Sequence, residues 1–499
     1  MSNQLENFDI QLFLTEPLSH ASDTPLFRQI YENIRQAILS RRLKIGSQMP
    51  PTRYLAKELG VSRSTLINAF EILISEGYLV GKLGSGTFVA EKLPDDLLVS
   101  RAKETENSFD KSNRNISQRG KKLSETKIAF SESFGKSKAF GLGLTEIEQF
   151  PIHLWKRIIA KILRKNSWKL TDYFEHFGVQ GYPPLREAIA KYIGASRGVI
   201  CSPEQIIIVT GSQQGLDLAS RVLLDKGDKV WIEDPNYKGA RGALTAAEAR
   251  IIPVPLDAEG LSVEAGKNLA KTARAAFVTP SHQFPLGTVM SLSRRLELLK
   301  WANQNSAWII EDDYDSEFRY DGKPFSALQG LDTNNRVIYI GTFSKVLFSS
   351  LRLGYLVVPP DLVQAFVKTL LFTSFHAPIL EQLVLADFIN EGHFGRHVRK
   401  MRRLYAERQK VLVAEIEKNL GEFLEVKSEE AGMHLIAWLK KNLRDTEVAK
   451  RAQENAVQVA PLSFYCLNVK LPDGLILGYT GISKSEIRQG IKRLRKCFL

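Results

Sequence analysis

Cysteine is scarce in this chain, and long apolar runs are missing altogether. The 499 residues include three cysteines (Cys201, Cys466 and Cys497), which form no CxxC pair. That scarcity argues against a disulfide framework and a structural zinc site, and it is typical of proteins from a reducing compartment. No apolar run approaches the ~20 residues of a membrane-spanning helix, and the N-terminal MSNQLENFDI lacks the pattern of a signal peptide. We therefore expect a cytoplasmic protein without a metal site.

Length and charge set the next limits. Domains typically contain about 100–200 residues, so a chain of 499 residues is too long for one core. Lysine and arginine together number 68 and aspartate and glutamate 55, which gives a formal net charge of +13. A surplus of this size permits a polyanionic partner but does not by itself demonstrate one.

A polar stretch separates two regions that have regular apolar patterns. Residues 91–124 show no helical or strand period, and KSNRNISQRGKK within them carries five basic residues and no acidic one. Such a composition buries too little apolar surface to order itself. We interpret 91–124 as a flexible linker between a domain at 1–90 and a domain at 125–499. Its basic part could also follow DNA phosphates, although a solvated tether is the simpler interpretation.

The region before the linker has the pattern of a winged helix-turn-helix. Residues 25–42 place apolar side chains on one helical face. In PPTRYLAKELGVSRSTL, a short helix from Thr52 ends at Gly60, and Ser62 caps the helix that follows. YLVGKLGSGTFVA then alternates around LGSG, which indicates two short strands and a tight turn. Helix, turn, helix and strand pair together favour DNA binding over a small protein-interaction module.

The predicted DNA-facing residues cluster at the second helix of the pair and at the wing. At a helix start, hydroxyl and backbone N–H groups can meet phosphates, and an arginine can reach a guanine edge. From Pro25 to Ala90 there are nine basic and four acidic residues. The candidates are Arg53, Ser62, Arg63, Ser64, Thr65, Lys82, Gly84, Ser85 and Gly86.

Short apolar runs recur between helical stretches after the linker. IIIVTG, KVWIEDP, AAFVTP, AWIIEDD and RVIYIGTFSK predict an α/β fold with a mainly parallel sheet covered by helices. Ligands of such sheets bind at the carboxyl ends of the strands. Each of these runs ends in polar residues, so we expect a site there.

Those polar residues form a set with one chemistry. Lys345, in GTFSKVLFSSLRLGY, becomes a nucleophile toward carbonyls if burial or nearby cations lower its pKa. Asp312 could hold a pyridinium N–H, Tyr314 could donate to a phenolate, and Tyr237 could stack on a ring. Such a combination, with a phosphate cradle, is what pyridoxal 5′-phosphate (PLP) requires. The predicted cradle residues are Ser212, Gln213, Thr342, Ser344 and Arg352.

The motifs together resemble the MocR subfamily of GntR-type bacterial regulators. The resemblance rests on PLFRQIYENIRQAI, GSQMPPTRYLAKELGVSRSTL, YLVGKLGSGTFV, TGSQQGLDL, EDPNYKGAR, TPSHQFPLG, EDDYDSEFRY and GTFSKVLFSSLRLGY. It implies a GntR-type winged helix joined to a fold-type I, class I aminotransferase-like domain. It also implies that Lys345 is the Schiff-base lysine, with Asp312 at the pyridine nitrogen and Tyr314 at the phenolic oxygen. A head-to-tail homodimer is a further implication.

Three positions depart from the aminotransferase pattern. Phe284 replaces an asparagine that contacts the cofactor's phenolic oxygen in such enzymes, and His282 is an alternative source of that contact. Ser349 replaces a proline in the lysine motif, with no obvious electronic effect. Ile476, in LILGY, stands where class I enzymes place the arginine that binds the substrate carboxylate. An apolar side chain cannot form that bidentate pair, so ordinary amino-acid transamination is in doubt.

Two functional hypotheses follow. The first is a PLP-binding transcriptional regulator that binds promoter half-sites of double-stranded DNA as a dimer and senses a small amine-like effector or PLP itself. The second is a catalytically active, PLP-dependent aminotransferase with an appended DNA-binding domain. The complete Lys345–Asp312–Tyr314 set supports the second, and Ile476 opposes it. A DNA-binding protein that has lost PLP is a third, weaker hypothesis, because the cofactor set is complete.

Overall fold

Two units of very different size make up the chain, and their boundary lies between Asn115 and Ile116. The computed structural model describes residues 13–14, 16–19, 22–82, 84–94, 116–125, 139–165, 178–322, 325–440 and 443–498. The domain limits drawn from the sequence stay predictions, because residues 95–115 and 126–138 lie outside this described part.

The first unit is a winged helix-turn-helix, as predicted. Its elements are α1 (Leu26–Leu39), α2 (Thr52–Glu58), α3 (Arg63–Ser75) and the antiparallel strands β1 (Leu79–Lys82) and β2 (Gly86–Val89). Apolar residues spaced three and four apart face inward, so that Ile30 and Ile34 of α1 share one buried cluster with Leu66 of α3. Ser62 caps α3, since its hydroxyl oxygen accepts a hydrogen bond from the backbone N–H of Thr65 at 3.1 Å.

A short helix lies inside the segment predicted to be an irregular linker. This helix, α4 (Gln118–Glu125), follows Ser117, whose hydroxyl oxygen accepts a hydrogen bond from the backbone N–H of Gly120 at 3.0 Å. Its side chains are not buried, so the cap and the basic residue Lys122 in its last turn stabilise it rather than a core. The prediction of no regular structure is therefore wrong at 118–124, while residues 95–115 of the predicted linker lie outside the described residues.

An eight-stranded sheet forms the centre of the second unit, with the order β3-β10-β9-β8-β7-β4-β5-β6. The strands β5, β4, β7, β8 and β9 are parallel neighbours. The strand β10 is antiparallel to β3 and β9, and the short β6 is antiparallel to β5. The mainly parallel sheet was predicted, but these antiparallel strands were not. The strands are β3 (Ile206–Val209), β4 (Lys229–Asp234), β5 (Arg250–Asp257), β6 (Gly260–Leu261), β7 (Ala275–Val278), β8 (Trp308–Asp313), β9 (Val337–Thr342) and β10 (Gly354–Val357).

Helices cover both faces of this sheet. Neighbouring strand residues such as Ile309 and Ile310 are both buried, yet they belong to different apolar clusters, one on each side. The remaining helices of the second unit are α5 (Ile152–Lys165), α6 (Pro183–Arg197), α7 (Ser212–Leu223), α8 (Lys238–Ala246), α9 (Val263–Ala270), α10 (Leu292–Gln304), α11 (Val363–Ser374), α12 (Ile379–Asn390), α13 (His393–Leu420), α14 (Asp445–Glu454) and α15 (Lys484–Arg495).

A second, antiparallel sheet lies in the C-terminal part of this unit. Its strands are β11 (Leu424–Val426), β12 (His434–Leu439), β13 (Ala460–Pro461) and β14 (Gly474–Gly478), in the order β11-β12-β14-β13. Ile476 stands in the middle of β14, opposite Ile436 and Ala460 of the neighbouring strands. In the part of the chain that the structure describes, none of the helices combines the length and apolar character needed to span a membrane.

Candidate cofactor site and DNA-facing surface

The site forms where β8 and β9 end side by side. These parallel strands place Asp312 opposite Ile340, so the segment that continues from β9 through Thr342 to Lys345 begins beside the carboxylate. The Nζ of Lys345 donates a hydrogen bond to the backbone carbonyl of Gly143 at 3.3 Å. Residues separated by 202 positions in the chain therefore meet at the predicted nucleophile.

The surroundings of Lys345 favour its neutral, nucleophilic form. Burial lowers the pKa of Lys345, the nearby guanidinium of Arg352 lowers it further, and the carboxylates of Asp312 and Asp315 oppose the shift. A larger fraction of the amine is therefore free to attack a carbonyl at neutral pH. Lys345, Arg352, Asp312 and Asp315 therefore lie close enough together for their charges to interact.

Gly143 fits against Lys345 because it has no side chain. A Cβ at this position would collide with the lysine Nζ, and the backbone has the left-handed φ of +65° that glycine adopts without strain. Sequence reasoning missed this residue. The closely spaced glycines of FGLGL were the only available signal, and nothing in them indicated a lysine so distant in the chain.

The carboxyl group of Asp312 is buried at the carboxyl end of β8. Its side chain is 4% exposed, and its Oδ1 has no hydrogen-bond partner among the described residues. Burial, together with the charges of Asp313 and Asp315, raises the pKa of Asp312 to about 7. A buried carboxyl oxygen without a partner suits a pyridinium N–H, the role that the sequence predicts for Asp312.

Tyr314 and His282 are hydrogen-bonded to each other. The Nδ1 of His282 lies 3.0 Å from the Tyr314 hydroxyl and 3.0 Å from Oδ2 of Asp315. His282 was predicted to contact the cofactor, yet in the structure its ring nitrogen faces the tyrosine. Asp315 was not singled out from the sequence, because nothing in EDDYDSEFRY separates it from the other carboxylates.

The predicted phosphate cradle comes together at the start of α7. Gly211 caps this helix without a side-chain hydrogen bond, and a Cβ on Gly211 would lie 3.5 Å from the guanidinium of Arg352. The buried Oγ of Ser344 has no partner among the described residues, and the backbone N–H of Ser344 donates to the Thr342 hydroxyl at 3.2 Å. Helix N–H groups, an arginine and a free hydroxyl suit a phosphate.

Ser212 and Gln213, the other two predicted phosphate ligands, differ in whether their side chains already form a hydrogen bond. Ser212 is the first residue of α7 and is half-buried. The side-chain amide of Gln213 donates to the backbone carbonyl of Gly239 at 2.9 Å, so its nitrogen is already engaged by the segment that follows Tyr237.

Tyr237 lies within electrostatic reach of both ends of the site. Burial raises the pKa of Tyr237, Asp312 raises it further, and Arg352 opposes the shift. The ring therefore lies near both Asp312 and Arg352, and stacking of Tyr237 on a cofactor stays a prediction. The lone oxygens of Asp312 and Ser344, together with the close approaches at Gly143 and Gly211, fit PLP.

An apolar wall borders the site. Ile476 is fully buried in a cluster with Ile436, Leu462 and Tyr465, and Phe284 and Leu142 pack against it. Leu142 directly precedes Gly143, so this wall reaches the segment that holds Lys345. Ile476, which is predicted to stand at the position of the class I arginine, therefore has only an apolar side chain to offer a ligand.

Lys238 and Tyr465 are neighbours of the site that the sequence did not reveal. The buried Lys238 ammonium lies 5.2 Å from the ring centroid of Tyr465 and 4.9 Å from that of Phe464. Tyr465 in turn packs edge-on against Phe284 at a centroid distance of 5.2 Å. Phe464 and Tyr465 lie beyond position 460, in a segment without a recognisable motif.

The predicted DNA-facing residues lie on the surface of the first unit. Arg53 and Arg63 are exposed, and their guanidinium groups make no hydrogen bond or ion pair with another described residue. The Ser62 hydroxyl, by contrast, lies 2.8 Å from the Ser64 hydroxyl and 2.7 Å from the Thr65 hydroxyl, so its first role is to build the start of α3.

The wing supplies an exposed cation on a glycine-rich turn. The Lys82 ammonium lies 5.0 Å from the ring centroid of Phe88, and the Ser85 carbonyl accepts a hydrogen bond from the Gln48 side chain at 2.7 Å. Gly84 and Gly86 have φ of +76° and +106°, so the turn depends on residues without a Cβ. These contacts fix the turn and leave its outer edge to solvent.

Comparisons with known proteins agree with both parts of this description. Residues 26–89 match the family of bacterial regulatory proteins of the gntR type, and residues 153–494 match aminotransferase class I and II. A similar protein over nearly the whole length is "Probable rhizopine catabolism regulatory protein MocR" of Rhizobium meliloti. It is 42% identical over 97% of this chain and 95% of its own length.

Two solved structures are similar to the second unit. Kynurenine aminotransferase of Pyrococcus horikoshii, in complex with PMP, has a TM-score of 0.67 and 27% identity over 80% of this chain and 98% of its own. The α-aminoadipate aminotransferase LysN of Thermus thermophilus, complexed with N-(5′-phosphopyridoxyl)-L-leucine, has a TM-score of 0.66 and 28% identity over 79% of this chain and 97% of its own.

Proposed function

This chain belongs to the MocR subfamily of GntR-type transcriptional regulators, and from that premise we propose that its PLP-binding domain senses a small amine that lacks an α-carboxylate in the usual place. In this proposal, occupancy of the PLP site changes the affinity of the winged helix for DNA. PLP itself, bound or absent, is the simplest signal that the same site could report.

The observation that carries the proposal is Ile476 beside an otherwise complete cofactor set. Recognition of an α-carboxylate needs a guanidinium or an equivalent donor set, and the apolar wall of Ile476, Phe284 and Leu142 offers none. A hydrogen bond to a charged group contributes roughly 1.5–3 kcal/mol, so an ordinary amino acid loses much of its binding and its orientation there.

Each remaining residue has a role in this proposal. When bound, PLP supplies an aldehyde that condenses with a primary amine with loss of water, and a ring that draws electrons from the attached carbon. Lys345 holds the aldehyde end, Asp312 holds the pyridine nitrogen, and Tyr314 donates to the phenolic oxygen. Tyr237 stacks on the ring, while the start of α7 with Thr342, Ser344 and Arg352 holds the phosphate.

A working aminotransferase is the second candidate function, and the lowered pKa of Lys345 favours it. It would need another group to bind the carboxylate, and Arg241, in the YKGAR segment, is a candidate. Burial lowers the pKa of Arg241 and the charge of Asp234 opposes this, so the guanidinium lies near Asp234. That carboxylate is already bound by the backbone N–H groups of residues 467–469. An arginine facing Asp234 supports the clamp role only weakly.

The proposal also includes a cytoplasmic head-to-tail homodimer. One winged helix reads one half-site, and duplicated promoter half-sites call for two winged helices in one assembly. Sedimentation of the PLP-loaded chain with and without a two-half-site duplex tests the dimer, and a monomer bound to a single half-site would contradict it.

Steady-state assays distinguish the two functions. We expect the purified, PLP-loaded chain to give negligible turnover with a panel of α-amino acids and 2-oxo acids. Amines without an α-carboxylate, and rhizopine because of the name of the similar protein, belong in the same panel. Multiple turnovers at ordinary enzyme rates of about 1–1000 per second would overturn the sensor and establish the aminotransferase.

A further inference from the structure

A buried histidine–aspartate pair contacts Tyr314, the tyrosine predicted to donate to the cofactor's phenolic oxygen. Resting on the proposed function, we propose that His282 and Asp315 form a positioning pair that aims the hydroxyl proton of Tyr314 toward the cofactor. The pair would take over the part played in aminotransferases by the asparagine that Phe284 replaces.

Proton counting gives the direction of the hydrogen bonds. Asp315 is 1% exposed, and its Oδ2 lies 3.0 Å from Nδ1 of His282. A carboxylate accepts, so Nδ1 carries the proton and cannot accept one from Tyr314. The tyrosine oxygen, also 3.0 Å from Nδ1, therefore accepts a share of the same N–H. The tyrosine's own proton is left to point away from the histidine.

Burial and the nearby carboxylates of Asp315 and Asp312 raise the pKa of Tyr314, so its hydroxyl stays protonated and able to donate. Its hydroxyl makes no other hydrogen bond with a described residue, and the ring of Phe284 has its centroid 6.2 Å from that of the tyrosine. The Phe284 side chain carries no polar atom, so Tyr314 remains as the donor to the phenolic oxygen. Its orientation then decides how well that oxygen is stabilised.

Backbone packing locks the imidazole in place. Gly432 has φ of +100°, and a Cβ there would lie 2.6 Å from Nε2 of His282, so the ring fits only against glycine. The Gly432 carbonyl accepts hydrogen bonds from the hydroxyls of Tyr320 and Tyr479, the latter at 2.8 Å. A ring held this firmly has one orientation, which suits a positioning role.

The charged groups around His282 come from several elements. Burial lowers the pKa of His282, but Asp315 and Glu429 raise it and outweigh both burial and the nearby Arg319, so the pKa is raised. The neighbouring His434, whose ring centroid is 5.5 Å away, has its pKa lowered to about 4 by burial and by His282. His282 is therefore the more basic of the two imidazoles, and its Nδ1 is the ring nitrogen that contacts Asp315.

The experiment is a pH titration of the visible absorbance of the lysine-bound cofactor in full-length protein loaded with PLP. In His282→Leu the Tyr314 hydroxyl is no longer aimed at the phenolic oxygen of the cofactor. That oxygen should then hold more tightly the proton that it shares with the Lys345 nitrogen. We expect the midpoint to rise by about one pH unit or more, the size of one charge-assisted hydrogen bond. His282→Asn keeps an N–H near the Nδ1 position and should recover most of the wild-type midpoint. Asp315→Asn should shift it in the same direction as His282→Leu.

A matched control separates positioning from general disturbance. His434→Gln alters the adjacent imidazole, whose Nε2 lies 2.9 Å from the Pro285 carbonyl, and should leave the midpoint unchanged. A wild-type midpoint in folded, cofactor-bound His282→Leu would overturn the positioning pair. If that variant does not fold, wild-type midpoints in both Asp315→Asn and a His282→Phe variant would do so. A wild-type protein without a visible band in excess PLP would instead contradict the proposed function.

Discussion

The two functional regions of this protein place their charges in opposite environments. In the winged helix, Arg53, Arg63 and Lys82 stand exposed on the surface. In the second unit, Asp312 is buried and Lys345 is shielded, and each perturbs the pKa of the other. Exposed charges are screened by salt, whereas buried and coupled charges respond to pH. DNA binding and cofactor binding should therefore be separable by solution conditions as well as by mutation.

Replacing Lys345 should have the largest effect, and its direct consequence should lie at the cofactor site of the second unit. Lys345→Ala removes the only predicted covalent anchor, so attachment of PLP should be abolished while the fold persists. Borohydride reduction and peptide mapping measure this directly. Lys300→Ala, an exposed lysine on α10, is the matched control and should keep the label. A pyridoxyl label on another lysine of the wild-type protein would refute the assignment.

Asp312 should make the stability of the cofactor-free protein depend on pH. Its folded pKa of about 7 lies above the ordinary 3.8, so its stabilising contribution is complete below about pH 4 and is lost as pH rises through 7. Asp312→Asn cannot titrate. As pH rises from 4 to 8, the free energy of unfolding of Asp312→Asn should therefore increase relative to that of wild type by on the order of 2–4 kcal/mol.

Denaturant unfolding of the cofactor-free proteins at both pH values checks this expectation. Asp361→Asn, at an exposed carboxylate, reports the effect of the substitution itself. With PLP present the sign should reverse, because asparagine cannot balance a pyridinium charge. If the stability of Asp312→Asn changed with pH in the same way as that of wild type, folding would not raise the pKa of Asp312.

Gly143 tests whether close backbone approach matters at the cofactor site. A Cβ there would push Nζ of Lys345 aside by on the order of 1 Å, and such a displacement slows bond formation about 100-fold. Stopped-flow absorbance after mixing Gly143→Ala with PLP measures this rate. Gly227→Ala is the control, because Gly227 also has a positive φ, of +89°, but no heavy atom within 4 Å of the added Cβ. Equal rates in both variants would contradict the contact.

Arg63 should give the smallest of these effects, and only in DNA binding. Arg63→Ala should weaken specific binding by about 1–3 kcal/mol and relax selectivity at one base position. Arg53→Ala, if it loses a phosphate contact, should instead weaken binding to every duplex about equally and reduce the salt dependence. Fluorescence anisotropy with specific and scrambled duplexes measures both. Unchanged affinity of Arg63→Ala for every duplex would show that α3 is not the recognition helix.

The same contrast explains how much the sequence could predict. The winged helix depends on local signals, such as the cap at Ser62 and the glycines of the wing, so its elements were predicted closely. The strands that end at Asp312 and Thr342 were predicted from their apolar runs. The small sheet that contains Ile476, and the antiparallel β10, were missed as elements although β10, β12 and β14 are apolar runs as well.

Residues that act through distant contacts could not be predicted. Gly143 meets Lys345 across 202 positions, and Asp315 acts by way of His282, 33 positions away. The helix α4 was missed because a polar composition was taken to exclude regular structure, whereas a cap at Ser117 is enough to start a short exposed helix. Only the fold brings these partners together.

In the proposed function, the PLP site controls DNA binding without catalytic turnover of a substrate. The most direct measurement is the affinity of the full-length protein for a duplex selected for tight binding, titrated with PLP alone and with PLP plus a candidate amine. We expect PLP or the amine to change the Kd for DNA in wild type and to leave it unchanged in Lys345→Ala. A wild-type Kd that is the same at every PLP and amine concentration would contradict the account.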